Sequence, residues 1–308
     1  MGGRMGPFGR FSAWFAKRRR EPVGDCSRPS RFLPEDFRPS GGVTLLAGRG
    51  IYPYLCALRM RAAAVECSLI AAEDAGDEVW NLFPPDRRAR FNPGQIGKLL
   101  HKLKEFGSAY ALMAGQIAPK RLFHGLKFDF TAIRMLARLK QRNAESIFGA
   151  LAREIERQDV IPLDARAFMD EDLATEGQMG RRSVPTKNLK GGVRIARAIA
   201  ALNVGQGIVV RRGTVLTVEG FDGTDKMLQR CEEFSTDGKC FIKTSKPSQD
   251  FRFDVPVVGL RTLAAMERGG IRSMAVESGS TLLLDKTKFL ADADRRGIGV
   301  YGYGKREE

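Results

Sequence analysis

The chain predicts an α/β protein of two domains, and three observations carry that expectation. Short apolar runs alternate with segments of helical period over the first half, the pattern of a parallel sheet with crossover helices. A polar, Gly-rich and basic stretch over residues 177–191 then breaks the alternation, as a linker or cleft-edge segment would. Beyond it the alternation resumes with a hairpin signal around Arg211-Arg212-Gly213, which makes the second sheet mixed. At 308 residues the chain is long enough for two cores. The expected division is a basic extension over 1–40, expected to be disordered, a first domain over 41–170 and a second over 171–308.

Residues 1–40 combine Gly, Pro and Arg18–Arg20 with Phe8, Phe11, Trp14 and Phe15. Phe8–Arg20 fits a short basic amphipathic segment on an anionic membrane, and a disordered tail fits the same residues. The long apolar core and small-residue cleavage site of a secretory signal are missing. Val43–Gly48 reads as a buried strand, and Tyr54–Ala64 as a helix with Pro53 near its first turn. Val65–Ala72 is a second apolar run, Gln95–Phe106 a helix, and Ala109–Ala114 a strand ending at Gly115-Gln116. Lys127–Leu139 and Ala144–Gln158 add helices, so this half is Rossmann-like. The turn Gly48-x-Gly50 can seat a phosphate at the following helix N-terminus. Pro53 stands where a dinucleotide fingerprint needs its third glycine, and Glu73 and Asp74 are only near candidates for a ribose ligand. The turn therefore reads as a general anion or sugar site, or as a tight connection.

In the second half, Val193–Leu202 is a helix with Gly205 past its end, and Gly207–Val210 pairs with Thr214–Glu219. Asp222 and Thr224 are N-cap candidates for a helix over 225–233. Strands are expected at Phe241–Thr244, Pro256–Leu260, Ser273–Val276, Thr281–Leu284 and Gly299–Tyr303, with helices at Arg261–Arg268 and Thr287–Arg296.

A net charge of +15 calls for an anionic partner. Basic residues are spread over both halves with no nucleic-acid module among them, so nucleic acid is not the expected partner. Five cysteines without a C-x-x-C pair, and two histidines at no zinc-site spacing, point to reduced thiols in a cytoplasm. His101 sits in a helical run and reads as a surface or packing residue. No apolar run is long enough to cross a bilayer. The stretch Lys243–Gly259 (KTSKPSQDFRFDVPVVG) concentrates the polar chemistry beside an apolar run. Lys243 and Lys246 can neutralise phosphate oxygens, while Asp250 and Asp254 can hold a metal or accept a proton. A solvated loop has the same composition.

Three stretches carry a resemblance: Val204–Val210 (VGQGIVV), Val218–Leu228 (VEGFDGTDKML) and Lys243–Gly259. In that order they resemble the UDP-2,3-diacylglucosamine pyrophosphatases of the LpxI type, with thinner similarity at LLAGRGIYP, at Ile96–Lys98 and at Ala114–Gln116. The resemblance implies hydrolysis of UDP-2,3-diacylglucosamine to 2,3-diacylglucosamine 1-phosphate and UMP in lipid A biosynthesis, by water attack on the β-phosphorus. It implies Mg2+ or a similar divalent cation, a homodimer, and a cytoplasmic protein peripheral to the inner membrane. Asp254 matches an aspartate the family needs and would bind the metal or orient the water. Asp225 and Glu219 are second-rank metal ligands; Asp225 equally suits a helix first turn and Glu219 an exposed strand position. Lys243 and Lys246 would contact the pyrophosphate. Thr224, Gly48, Gly50, Gly115, Gln116, Gly205, Gln206 and Gly207 would line the nucleotide or sugar, and each glycine equally suits a turn. A protein that binds the nucleotide-linked lipid, or a nucleic acid, without catalysis is the alternative. The G-N-H-E signature of binuclear metallophosphatases and the Nudix glutamates are absent from the sequence.

Overall fold

The computed structural model describes residues 29–304 apart from 117–127, 142, 188 and 236. The first domain holds a five-stranded parallel sheet of β1 (Val43–Ala47), β2 (Cys67–Ala72), β3 (Arg88–Phe91), β4 (Tyr110–Ala114) and β5 (Ile161–Pro162), in the order β3-β2-β1-β4-β5. Strands buried on both faces read as continuous apolar runs, which is why β1, β2 and β4 were legible. Successive side chains alternate between the two cores. Leu45, Leu69 and Leu112 face one core with Cys56 and Met60 of α1 (Tyr52–Ala62). Leu46, Ile70 and Met113 face the other, under α3 (Ile96–Phe106) and α5 (Ala144–Glu156). The short α2 (Asp77–Trp80) and α4 (Phe130–Ala137) complete this unit. Reversal of strand order between β1 and β4 places a topological switch point at their carboxyl ends, the usual ligand position in such sheets.

Two expectations for this half need correcting. Packed chain begins well before residue 43: Leu33 and Phe37 are buried in the first core, and the Phe37 ring lies 4.7 Å from that of Tyr110. Apolar side chains four apart seal the end of the sheet there, so residues 29–40 belong to the packed chain. Residues 1–28, including Phe8–Arg20, lie outside the described residues, as do His124 and Lys127. The helix expected from Lys127 starts at Phe130, where the Asp129 side chain accepts from Ala132 N at 2.8 Å.

The second domain holds a six-stranded mixed sheet in the order β6-β13-β11-β9-β7-β8. Its strands are β6 (Gly177–Met179), β7 (Gly207–Arg211), β8 (Thr214–Val218), β9 (Cys240–Lys243), β11 (Ser273–Glu277) and β13 (Gly299–Tyr303). β9, β11 and β13 are parallel, while β6 and β7 run antiparallel to their neighbours. The β7–β8 turn uses Arg212 and Gly213, at φ 47° and 86°, the left-handed pair that matches strand twist. Helices α6 (Leu189–Ala201), α7 (Thr224–Arg230), α8 (Leu260–Arg268) and α9 (Lys286–Arg295) cover the sheet. The polar stretch 177–191 is more than a linker, since its first residues pair with β13 and α6 begins inside it.

The runs expected as strands at Pro256–Leu260 and Thr281–Leu284 shrink to β10 (Val257–Val258) and β12 (Leu282–Leu283), which pair with each other, with one further antiparallel bridge from Leu282 to Leu173. They sit at the domain junction, with Val257 and Leu282 packed into the first domain's core. The chain between Lys246 and Val257 straps the two domains together. Phe253 stacks on Phe148 of α5 with ring centroids 5.9 Å apart, and Ala165 N donates to Phe251 O at 2.7 Å.

Candidate active site

Three strand ends meet at one edge of the second sheet. Gly207 opens β7 opposite Lys243, the last residue of β9, and accepts from Glu219 N at 2.8 Å just beyond β8. Residues level with one another across a sheet project to the same face, so Lys243 and Glu219 rise on either side of a residue with no side chain. Lys243 Nζ reaches Glu219 Oε2 at 3.4 Å and Thr224 Oγ1 at 3.2 Å, and Thr224 Oγ1 donates to Glu219 Oε1. Glu219 is thus a buried ion-pair member, not an exposed strand residue, and Thr224 caps no helix but joins this cluster. Burial works to raise the Glu219 carboxyl. Lys243, Thr224 and the Gln206 backbone together outweigh it and hold the group below the ordinary glutamate range.

A Cβ on Gly207 would stand 2.7 Å from Glu219 Oε2 and 3.0 Å from the Phe241 ring. Gly207→Ala is therefore expected to push Glu219 off Thr224 and Lys243 and lower turnover by about tenfold or more with the fold intact. Steady-state kinetics beside circular dichroism checks this; wild-type turnover would show that Glu219 can move aside freely.

Asp254 lies on the strap, in reach of this cluster through Gln206. Gln206 Nε2 donates to Gln249 Oε1 at 2.8 Å and approaches Asp254 Oδ2 at 3.5 Å, while Gln249 Nε2 donates to Asp254 O at 2.6 Å. Lys246 Nζ is 3.7 Å from Asp254 Oδ2 and 3.2 Å from Glu145 Oε2 on α5, so this lysine bridges the two domains. Burial pushes the Asp254 carboxyl above the ordinary aspartate range, and Lys246 offsets that only in part. Two carboxylates with opposite shifts, linked by one glutamine, fit different roles in one site. Of the two lysines, Lys243 is nearly inaccessible (side chain 6% exposed) and committed to Glu219, which leaves Lys246 as the one at the domain junction.

Other expected residues fall elsewhere. Asp225 pairs with Arg261 at 3.1 Å, and Asp250 forms a two-pronged pair with Arg252. Among the described residues no group of three or more His, Cys, Asp or Glu side chains converges as a metal cage, so Asp254, Asp225 and Glu219 are not brought together as one ligand set. At the switch point, Gly48 and Gly115 face each other. A Cβ on Gly48 would meet Gln116 O at 2.7 Å, and one on Gly115 would meet Pro53 Cγ at 2.7 Å. Arg49 and Gln116 close this spot with a two-way backbone bridge. These two glycines make room for backbone; Gly50, at φ 99° with open space beside it, is the one facing outward. Gly48→Ala is expected to destabilise the first domain by about 1–3 kcal/mol, measured by denaturant titration. A loss below about 0.5 kcal/mol, the level of an ordinary surface change, would mean the bridge can shift. Gly205 likewise packs against the backbone of Glu219.

Sequence reasoning passed over three supporting residues. Glu277, buried at the end of β11, accepts from Ser245 N at 2.8 Å and Thr244 Oγ1 at 3.2 Å, and so fixes the chain between the two lysines. Tyr303 Oη, on β13, donates to Lys243 O at 2.9 Å. Both sit at carboxyl ends of parallel strands, a positional signal that their sequence context does not show. Glu145 reads as an ordinary first-turn helix carboxylate, and only the tertiary fold brings it to Lys246. A separate groove of about 390 Å³ beside β2 and β3, lined in part by Arg90, Lys98 and His101, shares no residue with this cluster.

Lysines and carboxylates gathered at the carboxyl ends of parallel strands, where two α/β domains meet, define a protein that handles an anionic, phosphate-bearing ligand. The signature of the LpxI N-terminal domain matches residues 42–171 and that of the LpxI C-terminal domain matches residues 175–301. The chain belongs to the LpxI family. It is 27% identical over 277 residues to the UDP-2,3-diacylglucosamine pyrophosphatase LpxI of Caulobacter vibrioides, a match covering 85% of this chain and 98% of that one.

Proposed function

We propose that this protein hydrolyses the pyrophosphate of UDP-2,3-diacylglucosamine, releasing UMP and 2,3-diacylglucosamine 1-phosphate for lipid A biosynthesis. The observation that carries this reading is the Asp254 carboxylate, held beside Lys246 and Gln206 at the domain junction within a chain similar over 85% of its length to a pyrophosphatase of that name. Water adds to the β-phosphorus, the bond from that phosphorus to the bridging oxygen breaks, and the bridging oxygen leaves with UMP. Asp254 orients the water and Lys246 balances charge on the phosphoryl oxygens. Hydrolysis in 18O-labelled water, read by phosphorus NMR, tests this. Label in the sugar phosphate supports attack at the β-phosphorus, whereas label in UMP overturns it.

Magnesium binds through one or two carboxylates plus substrate phosphates and retains several waters. The chain fits that mode through Asp254, because among the described residues Glu219 and Asp225 do not converge with it on one point. A bound ion would supply neutralisation of the pyrophosphate charge. EDTA is therefore expected to stop hydrolysis while leaving Tm of the substrate-free protein within about 1 °C, since a site worth little without substrate adds little stability. A fall of several degrees in differential scanning calorimetry would instead show a standing metal site.

The reading extends to a peripheral position on an anionic membrane surface, supported by the net charge of +15 and by a lipid-bearing substrate. Among the described residues no helix is long and apolar enough to cross a membrane. It also extends to a homodimer, supported by the family resemblance; sedimentation equilibrium returning a monomer mass would remove that element.

A further inference from the structure

Large apolar side chains left in water singly are ordinary, but a group of them beside a polar site calls for a ligand. Leu202, Val204 and Phe221 are 76%, 54% and 84% exposed. They come from two loops that the sheet brings side by side: Gly205 packs on the Glu219 backbone, and Glu219 N donates to Gly207 O. Between Leu202 and Val204, Asn203 Nδ2 donates at 3.3 Å to Glu145 Oε2, the oxygen that Lys246 Nζ holds at 3.2 Å. Phe221 follows two residues after Glu219. The three residues therefore stand one or two positions along the chain from Asn203 and Glu219, which touch the Lys246–Asp254 and Glu219–Lys243 pairs, and they belong to neither pair themselves.

We infer that Leu202, Val204 and Phe221 form an apolar lip that takes the part of a substrate acyl chain lying beyond its first few carbons. This rests on the hydrolytic reading above. A sugar acylated at the carbon next to the one bearing the phosphate, and at the carbon after that, must release its chains close to the phosphorus being cleaved. Apolar surface is needed at the border of the lysine–carboxylate cluster and would be unhelpful anywhere distant from it. The lip touches only the chains, so it sets preference for chain length and plays no part in the bond-breaking step.

The test compares the wild type with the triple variant Leu202→Ser/Val204→Ser/Phe221→Ser on UDP-glucosamine carrying long or butyryl chains at both positions, in one nonionic detergent. These exposed positions carry little folding energy, and circular dichroism verifies that the variant is folded. The ratio of long-chain to short-chain kcat/KM is expected to fall at least tenfold, in line with loss of one to two covered apolar side chains. An unchanged ratio, or an equal loss on both substrates, overturns the inference. Calorimetric titration with long- and short-chain acylglucosamine 1-phosphate gives the same ratio without turnover. If the wild type cleaves neither substrate, the hydrolytic reading fails, and the titrations alone decide the lip. If the variant loses flotation with phosphatidylglycerol vesicles while its chain-length ratio stays at the wild-type value, the face docks on a bilayer and the acyl lip is refuted.

Discussion

Asp254→Asn is expected to lower kcat for UMP release by about 10²–10⁴ while the protein stays folded and at least as stable as the wild type. Loss of activity follows from replacing the carboxylate that stands beside Lys246 and Gln206 at the domain junction. The stability result follows from its environment. Burial raises the folded-state value above the unfolded one, so the carboxyl favours folding only while protonated. That contribution is complete below the unfolded value and lost as pH rises through the raised folded value. At neutral pH the wild type carries a partly desolvated charge that asparagine removes, and the amide retains a partner in Gln206. Thermal unfolding in EDTA should place the variant's Tm at or above the wild type's at pH 7, with the difference shrinking towards acid. A variant that turns over normally, or one that is markedly less stable at pH 7, would remove Asp254 from the centre of the site.

Much of this arrangement was legible in the sequence, for identifiable reasons. β1, β2 and β4 are continuous apolar runs, and α3 and α5 keep a helical period, so both were placed within a few residues. β3, with the sequence RARF, and the two-residue β5 carry no such signal; they are strands because β2 and β4 offer them an edge. Motif reasoning named Asp254, Lys246 and Gln206, and the fold brings these three together. Glu219 is not the exposed strand position its sequence context allows, because Gly207 leaves space for it across the sheet, a relation between residues twelve positions apart. The Gly48 and Gly115 turns resembled an anion cradle; in the fold each fills the other's space. Asp225 has the right residue type near the right motif, but Arg261 claims its side chain.

The Lys243–Glu219 pair separates folding from catalysis. Lys243→Met should destabilise the second domain by about 3–5 kcal/mol, because it leaves the Glu219 carboxylate buried with only Thr224 and a backbone donor. On the scale of roughly 2–4 °C per kcal/mol for domains of such size, Tm should fall by about 6–20 °C. Adding Glu219→Gln removes the orphaned charge, and the double variant is expected to regain most of that loss, since apolar or neutral replacements of a buried pair are often tolerated. The Glu219 contribution also has a defined pH window. With its folded value depressed, the stability it supplies is present above the ordinary glutamate value and is lost as pH falls through the depressed one. The wild type should therefore lose more stability on acidification than the double variant. If the pair only holds the sheet edge together, activity will return along with Tm. If it also shapes the field around Asp254, the double variant will be stable and still slow, with its loss in kcat and not in KM. Stability recovered without activity is the expected result, because Gln206 links Glu219 through its backbone and Asp254 through its side chain. A double variant as unstable as Lys243→Met would show that the lysine stem, packed at the end of β9, matters more than its charge.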